Sequence, residues 1–315
     1  MNIIYKKLHN LYNPPAEPLA EGEEAAIQTR LAAGNVNSVA GRNIRKNSAG
    51  SDDAVKQRIM TRTGLSEADT EDVYTSMISL MQNADLTINF KPQDLFQDVS
   101  VHSFKNSFEL GTGTPFYVGW RDEVENSLFK YNSLVNDFDA QQVVDRIRTL
   151  GIYQNKENAS FDPRIRPRYG ALNIFNFESG AVASGQYGNS HLILKDYIKH
   201  RCTFTVNDSF RVRGPDKSEK LANMFYLDRI ILNLDDGTFD VLCARMINQP
   251  LREHDQINIT YIEAQIHSDI LFSRDVKKIR LYRPELATGI NQINEIIENI
   301  ALVAGRNRIP VEIFP

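Results

Sequence analysis

The chain has few cysteines, no long apolar run and no obvious export signal. Cys202 and Cys243 are its only cysteines, and two in a chain of this size are more often reduced, as in a cytosolic protein, than paired. No segment reaches the roughly 18 apolar residues that a membrane-spanning helix needs, so no membrane span is expected. The start, MNIIYKKLHNLYNPP, has a basic pair without an apolar stretch behind it. We therefore expect no Sec-type signal peptide, and any export would use another route.

An excess of charge of one sign is lacking as well. The formal net charge is −4, which gives no general attraction to nucleic acid or to an anionic membrane, so no nucleic-acid partner is expected. Apolar residues make up 42% of the chain and charged residues 24%. These are the proportions of a globular protein, and 315 residues are enough to bury a sizeable core.

Several common catalytic signatures are missing. The sequence has no phosphate loop ending in Gly-Lys-Ser/Thr, no dinucleotide glycine fingerprint and no HExxH helix. A Gly-x-Ser-x-Gly elbow is also absent. These absences argue against a P-loop NTPase, a Rossmann dehydrogenase, a zincin and an α/β-hydrolase.

Composition and periodicity divide the chain into three parts. Residues 1–51 include a stretch rich in Gly, Asn and Ser, which predicts a flexible N-terminal segment that could serve for delivery or docking or be a plain tail. Residues 52–84 predict a helical subdomain, and residues 85–315 a single catalytic domain. Helical patterns come first and strand patterns dominate from Tyr169 onward, an order that favours an α+β fold.

Local patterns predict individual elements. Ser66 followed by Asp69 predicts a helix start, and residues 138–149 predict a helix. The β-branched and aromatic segments YGALNIFNF, HLILK, RCTFTV and INITYIEAQIH predict strands. Residues 228–247 predict two strands joined by a hairpin turn at Asp235-Asp236-Gly237. A late amphipathic helix and a terminal strand, VEIF, complete the prediction.

Residues 261–267 carry the sharpest chemical pattern. Side chains alternate between the faces of a strand, which puts four polar groups on one face: Tyr261, Glu263, Gln265 and His267. A carboxylate in line with hydrogen-bonding neighbours can stabilise a developing oxocarbenium ion. The alternative is a solvated sheet face that is polar by chance.

A second pattern precedes the strand that begins near Tyr169. Arg166 and Arg168 could bind a pyrophosphate through bidentate contacts, or they could form a basic strand edge. Tyr169 could stack on a flat heterocycle, and Gly170 would let a ligand approach the backbone. A core position is the alternative for the tyrosine.

Three further segments contain candidate residues. Residues 108–114 alternate Gly and Thr around Thr112, so their backbone N–H groups suit a phosphate, or they form an ordinary loop. Ser190 follows turn residues at a strand start, a ligand-facing geometry that turns also produce for other reasons. Arg121 and Glu125 have the spacing of an i,i+4 surface pair.

Six ordered segments together resemble a little-characterised bacterial family of ADP-ribosyltransferase-like domains. As they stand here, the segments are SFELGTGT (107–114), RDEVENSLF (121–129), RPRYGAL (166–172), YGNSHL (187–192), RCTFTVNDS (201–209) and YIEAQIHS (261–268). The similarity extends over residues 85–285 and is closest to secreted effector mono-ADP-ribosyltransferases of intracellular pathogens.

The resemblance implies a split β-sandwich of the ADP-ribosyltransferase type, with an N-terminal helical part, that uses NAD as substrate without a metal. Most such enzymes carry Gln/Glu-x-Glu with the last Glu catalytic, whereas this strand reads Glu263-Ala264-Gln265. Glu263 is therefore the expected catalytic carboxylate, with Glu109 and Glu125 as alternatives. The residues implied to bind NAD are Thr112, Arg166, Arg168, Tyr169, Gly170, Ser190, Gln265 and His267.

The resemblance also implies an acceptor and a place of action. The acceptor would be a host protein side chain, arginine by family analogy, with glutamate dehydrogenase or a similar NAD-binding enzyme as an example. The protein would be secreted by a non-Sec route and act in a host cytosol or organelle, or stay cytoplasmic if it is not an effector.

Two other functions remain open from the sequence. The first is a metal-dependent nuclease or hydrolase, suggested by His191, His200, His254 and His267 with Asp208 and Asp269, although their spacing is not that of a tight metal site. The second is a catalytically degenerate NAD-binding or protein-binding module, which the Glu-Ala-Gln order would suit.

Overall fold

A computed structural model describes residues 38–110, 115–129, 166–180, 187–212, 217–248, 259–286 and 290–315. Its α-helices are α1 (Val39–Lys46), α2 (Ser51–Thr63), α3 (Glu67–Asn83), α4 (Pro92–Leu95), α5 (Ser107–Leu110), α6 (Pro115–Phe129), α7 (Asp228–Asn233), α8 (Asp236–Met246), α9 (Phe272–Asp275) and α10 (Ile290–Asn307). Its strands are β1 (Asp85–Phe90), β2 (Ser103–Phe104), β3 (Arg168–Asn173), β4 (Ser190–Leu194), β5 (Cys202–Val206), β6 (Ile262–Ile266), β7 (Ile270–Leu271), β8 (Val276–Tyr282) and β9 (Val311–Phe314). Short 3₁₀ helices include Asp196–Arg201, Ser209–Arg211, Lys217–Lys220 and Arg283–Leu286. The predicted α+β class is confirmed.

A seven-stranded sheet in the order β5-β6-β3-β1-β4-β8-β9 forms the centre of the fold. Neighbouring strands run antiparallel except β8 and β9, which are parallel. A separate two-stranded sheet pairs β2 with β7. In the main sheet, Gln265 lies opposite both Tyr169 and Thr203, while Glu263 lies opposite Thr205. The pairing thus brings polar side chains of three strands to one region.

The two faces of β6 differ in chemistry. Ile262, Ala264 and Ile266 are buried in the main hydrophobic core, as their alternation predicts. The same core contains Val55 of α2 and Met77 of α3, so these helices and the sheet share one apolar interior. Burial of each large aliphatic side chain contributes roughly 1.5–3 kcal/mol, which fixes the orientation of β6.

Part of the segment that was predicted to be flexible is ordered. The Ser38 hydroxyl accepts a 2.9 Å hydrogen bond from Gly41 N and thereby caps α1. Ile44 is fully buried, and the Arg229 guanidinium donates to the Asn47 carbonyl. The Gly-, Asn- and Ser-rich composition predicted flexibility, but the stretch contains a capped helix with one fully buried apolar side chain, Ile44. Residues 1–37 lie outside the described residues.

The predicted hairpin at residues 228–247 is wrong, because this segment forms α7 and α8. Asp235 is the N-cap of α8, and its carboxylate accepts hydrogen bonds from Thr238 N at 2.9 Å and Thr238 Oγ1 at 2.7 Å. Phe239 and Leu242 then bury one face of the helix. The segment Asp235-Asp236-Gly237 thus begins a helix, because the Asp235 carboxylate satisfies a free N–H group of the first turn.

Other local predictions hold. Ser66 caps α3 by accepting from Asp69 N at 3.2 Å. The predicted strands around Tyr169, His191, Thr203 and Glu263 are β3, β4, β5 and β6, and the late helix and terminal strand are α10 and β9. The helix predicted at residues 138–149 lies outside the described residues. Within the described ranges, no helix has the length and apolar character needed to cross a membrane.

Candidate functional site

The polar face of β5, β6 and β3 is covered by α6 and the 3₁₀ turn Ser209–Arg211, and it is buried. Thr203, Thr205 and Gln265 are almost inaccessible to solvent, and Glu263 is 6% exposed. The alternative of a solvated polar sheet face is therefore wrong. Buried polar groups are stable only when hydrogen-bonded, and here they form a connected network.

The Glu263 carboxylate is held by neutral donors. Its Oε1 accepts from Ser209 N at 3.2 Å and from Gln265 Nε2 at 2.9 Å, and its Oε2 lies 3.3 Å from the Tyr261 hydroxyl that donates to it. Burial raises the pKa of Glu263 to about 7, while the donors from Ser209 and Gln265 oppose the rise. The same carboxylate can thus be charged or neutral near physiological pH.

Gln265 connects Glu263 to two threonines and a histidine. Its Nε2 also donates to Thr205 Oγ1 at 2.8 Å, and its Oε1 accepts from Thr203 Oγ1 at 3.0 Å. Thr203 Oγ1 is in turn 3.0 Å from His267 Nε2. Burial lowers the pKa of His267 to about 3, so this imidazole is neutral at physiological pH.

Glu125, which is fully buried, and Tyr169, which is half-buried, form a hydrogen-bonded pair beside the Glu263 network. The Tyr169 hydroxyl donates to Glu125 Oε1 at 2.7 Å, and the Arg121 guanidinium lies 4.3 Å from the centre of the Tyr169 ring. Arg121 also has the predicted i,i+4 contact with Glu125, at 3.6 Å, but the pair is buried rather than at the surface. One face of the Tyr169 ring is thus occupied by a guanidinium.

Arg166 is bound by carboxylates of α6. Its Nη1 lies 3.1 Å from Glu125 Oε2, and its Nη2 donates to Asp122. Burial raises the pKa of Glu125, and the nearby charges of Arg166 and Arg121 oppose that rise. A pyrophosphate could reach Arg166 only by displacing these carboxylates.

Arg168 lies between two other carboxylates. Its Nη2 is 2.6 Å from Glu109 Oε2 and 3.0 Å from Asp269 Oδ1. Glu109 also forms a reciprocal cap with Asn106: the carboxylate accepts from Asn106 N, and Asn106 Oδ1 accepts from Glu109 N, both at 2.9 Å. Glu109 therefore has a structural function that accounts for its position.

Three predicted ligand-binding residues lie on the opposite face of the sheet from Glu263. Arg168 pairs in register with Ile266, and Ser190 pairs with Phe90 of the hydrophobic core. The Ser190 hydroxyl donates to Glu285 Oε2 at 2.6 Å.

At Gly170 an added Cβ would lie 2.5 Å from the Thr87 carbonyl oxygen. The space that we assigned to a ligand at Gly170 is thus filled by β1.

The structure brings together Glu263, Gln265, His267 and Tyr169 of the predicted set, while Thr112 lies outside the described residues. Thr203, Thr205 and Ser209 are also part of this network, and we did not predict them as site residues. Their signal was present, because period-two alternation in RCTFTV puts both threonines on one face. Recognising them required the pairing of β5 with β6.

The histidines of the metal hypothesis are dispersed. His191, on β4, has its Nδ1 3.1 Å from the Asn189 carbonyl oxygen, whereas His267 contacts Thr203 on β5. Three strands separate β4 from β5 in the sheet. His254 lies outside the described residues. In the part of the chain that the structure covers, no group of three or more His, Cys, Asp and Glu residues could hold a metal ion.

Comparison with known proteins gives one family match. The model of a family described as "Protein of unknown function (DUF3626)" matches residues 88–240, just under half of the chain. The matched segment contains Glu109, Glu125 and Tyr169, but it ends before β6 and therefore excludes Glu263. No curated protein matches the sequence. The chain is thus similar over residues 88–240 to a family whose function is unknown.

Proposed function

We propose that the chain is an NAD-dependent mono-ADP-ribosyltransferase that modifies a protein side chain, with Glu263 as its catalytic carboxylate. The observation that carries the proposal is a buried carboxylate whose hydrogen-bond donors, within the described part of the chain, are all neutral. The ordered segments that resemble ADP-ribosyltransferase-like domains support the choice of reaction, and we assign the α+β fold to the split β-sandwich of that class.

The reaction needs a stabilised positive charge and no redox step. The bond between the anomeric carbon and the nicotinamide nitrogen breaks, and nicotinamide leaves with the electron pair. The ribosyl carbon then carries positive charge until an acceptor side chain attacks it and releases a proton. A carboxylate next to this carbon stabilises the charge, and it does so more strongly in a buried site than in water.

The surroundings of the three candidate carboxylates favour Glu263. The charge of Glu125 is already balanced by Arg166 and Arg121, and that of Glu109 by Arg168. Glu263 accepts hydrogen bonds from a backbone N–H, an amide and a phenol, and none of these three donors neutralises its negative charge. In this proposal Gln265 and Tyr261 orient the carboxylate, and Tyr169 contributes a wall of the nicotinamide and ribose site.

The proposed acceptor is a host protein, and the proposed setting is that of an effector exported by a non-Sec route. An arginine of a metabolic dehydrogenase such as glutamate dehydrogenase is the first acceptor to test. The resemblance to effector mono-ADP-ribosyltransferases supports these proposals.

The test measures nicotinamide release from NAD and transfer of labelled ADP-ribose to lysate proteins. We compare the wild type with Glu263→Gln, Glu125→Gln and Glu109→Gln, each checked for folding by circular dichroism. We expect Glu263→Gln to lower both signals by roughly 10²-fold or more and Glu109→Gln to retain them when folded. Activity that survives Glu263→Gln but is lost in Glu125→Gln would move the catalytic carboxylate, and no release by the wild type in several lysates would reject the transferase.

A second candidate is an NAD-binding or protein-binding module without catalysis. The occupied guanidinium groups of Arg166 and Arg168 favour it, because the expected pyrophosphate ligands are already paired with carboxylates. Calorimetry with NAD distinguishes the two candidates. Binding without nicotinamide release supports the module, whereas binding with turnover supports the transferase.

A further inference from the structure

Four side chains form a line of hydrogen bonds that leads from the end of β6 to the Glu263 carboxylate. His267 Nε2 is 3.0 Å from Thr203 Oγ1, which is 3.0 Å from Gln265 Oε1. Gln265 Nε2 is 2.9 Å from Glu263 Oε1. All four side chains are buried, so each proton in the line must have a defined partner.

The count of protons fixes the direction of this line. An ionised Glu263 has no proton to donate, so Gln265 must direct its NH₂ group toward it. Gln265 Oε1 then faces Thr203 and needs a donor. The Thr203 hydroxyl has one proton, which this bond uses. His267 must therefore carry a proton on Nε2 and donate it to the Thr203 oxygen.

Thr205 opposes the reversed orientation of the amide. Its hydroxyl donates to the Asn207 carbonyl oxygen at 3.2 Å, so its oxygen is free only to accept from Gln265 Nε2 at 2.8 Å. A flipped Gln265 would turn its carbonyl oxygen toward two acceptors, Thr205 Oγ1 and the Glu263 carboxylate. Two neighbours on β5 thus specify one orientation of the same amide.

We propose that His267 and Thr203 are positioning residues that form a one-directional donor chain and hold the Gln265 amide with its NH₂ group toward Glu263. The catalytic meaning of the chain rests on the proposed transferase function, but its direction is a property of the folded protein. Each member donates to the next, and the chain ends on the carboxylate. Its effect is to stabilise the charged form of Glu263.

Other ionisable groups act on Glu263 directly or through a neighbouring side chain, and a variant at Thr203 leaves them in place. They are Tyr261 beside β6, Asp208 and Arg211 at the 3₁₀ turn, Tyr169 on β3, and Arg121 and Glu125 on α6. At the His267 end of the hydrogen-bond chain, the nearby charge of Arg201 adds to the effect of burial in lowering the pKa of His267. A change in the Glu263 titration on altering Thr203 alone therefore reports on the chain.

The first experiment measures the pKa of Glu263 by carbon NMR of protein labelled at the glutamate side-chain carboxyl, with Glu263→Gln to assign the signal. Thr203→Val keeps the side-chain shape and removes the donor, so we expect the pKa to rise by about one unit. Thr203→Ser should restore the wild-type value. The matched control is Thr87→Val, a buried threonine on β1 whose hydroxyl lies 3.4 Å from a backbone carbonyl oxygen, which should cause no shift. An unchanged pKa in Thr203→Val would overturn the proposal.

The second experiment uses the wild type, so it does not depend on the folding of a variant. Nitrogen NMR of histidine-labelled protein, with the His267 signals assigned by substitution, identifies which ring nitrogen carries the proton. We expect neutral His267 protonated on Nε2. A proton on Nδ1 with bare Nε2 would make Thr203 donate to His267 instead of Gln265, which rejects the chain.

Nicotinamide release separates this inference from the proposed function. If the wild type is active, the acid limb of its pH–rate profile should move up by about one pH unit in Thr203→Val. If the wild type releases no nicotinamide, the transferase proposal fails. The titration of Glu263 and the tautomer of His267 then still decide whether the one-directional hydrogen-bond chain exists.

Discussion

The Tyr169 hydroxyl donates a 2.7 Å hydrogen bond to Glu125, a carboxylate that is 0% exposed. This contact joins β3 to α6 and therefore attaches the helix that covers the polar face of the sheet. We predict that Tyr169→Phe lowers the free energy of unfolding by about 1–3 kcal/mol, because a buried acceptor loses its donor. Urea unfolding measures the loss. The control is Tyr282→Phe, where the ring packs on Phe314 in the same fold, and an equal loss in both variants would contradict the prediction.

The second prediction concerns the pH dependence of NAD cleavage. The pKa of Glu263 is raised to about 7, and the proposed reaction needs the ionised form. Nicotinamide release should therefore increase from about pH 5.5 to pH 8 with a midpoint near 7, about tenfold per pH unit well below the midpoint. Initial rates at saturating NAD give the profile. A flat profile through this range would separate the activity from Glu263.

Ionisation of Glu263, which should raise the rate of NAD cleavage, should lower the free energy of unfolding. The folded protein keeps a proton on Glu263 between about pH 4.5 and 7, where the unfolded chain has lost it. The free energy of unfolding should thus fall as pH rises through this window, by up to about 3 kcal/mol from this group, and the loss is complete above pH 7.

Glu263→Gln should remove that contribution, so its unfolding free energy should depend less on pH between 4.5 and 7 than that of the wild type. Urea unfolding at several pH values measures the difference. The control is Glu298→Gln on the exposed face of α10, which should retain the wild-type slope. Parallel curves for the wild type and Glu263→Gln would show that the carboxylate titrates normally.

The fourth prediction tests the close contact between β3 and β1. Gly170→Ala would place a methyl group 2.5 Å from the Thr87 carbonyl oxygen, so the strands must separate. We expect a loss of about 1–3 kcal/mol of stability. Gly305→Ala in α10 is the matched control, because its Cβ meets no atom within 4 Å and alanine favours a helix, so a gain of roughly 0.5–1 kcal/mol is expected. Equal changes in the free energy of unfolding for the two variants would mean that β1 moves away from the new methyl group at little cost.

Sequence periodicity predicted β6 and both of its faces, because alternation is a local property that a single strand displays. It also predicted that Glu263 and Gln265 lie side by side. It could not predict that Thr203 and Thr205 complete the network, since this depends on the register between segments about 60 residues apart. The carboxylate partners of Arg166 and Arg168 were missed for the same reason, because they come from α5, α6 and the residue before β7.

The error at residues 228–247 has a different origin. Short apolar runs rich in isoleucine suit a strand or a buried helix equally well, and the Asp-Gly pair decided for a hairpin. In the structure Asp235 uses its carboxylate to cap α8, a choice favoured by Thr238 three residues later. Local turn chemistry was thus outweighed by capping and by burial of a helical face.

The opposite chemistry of the two faces of β6 also restricts how the strand can be assembled. A slip of one residue against β3 or β5 would move Glu263 and Gln265 into the apolar core and turn Ile262 and Ile266 toward the polar network. Both changes leave buried groups without suitable neighbours, so the misaligned sheet is strongly disfavoured. The residues to which we assign chemistry therefore also fix the register of the sheet. A variant that makes this face of β6 apolar would no longer favour one register over the others.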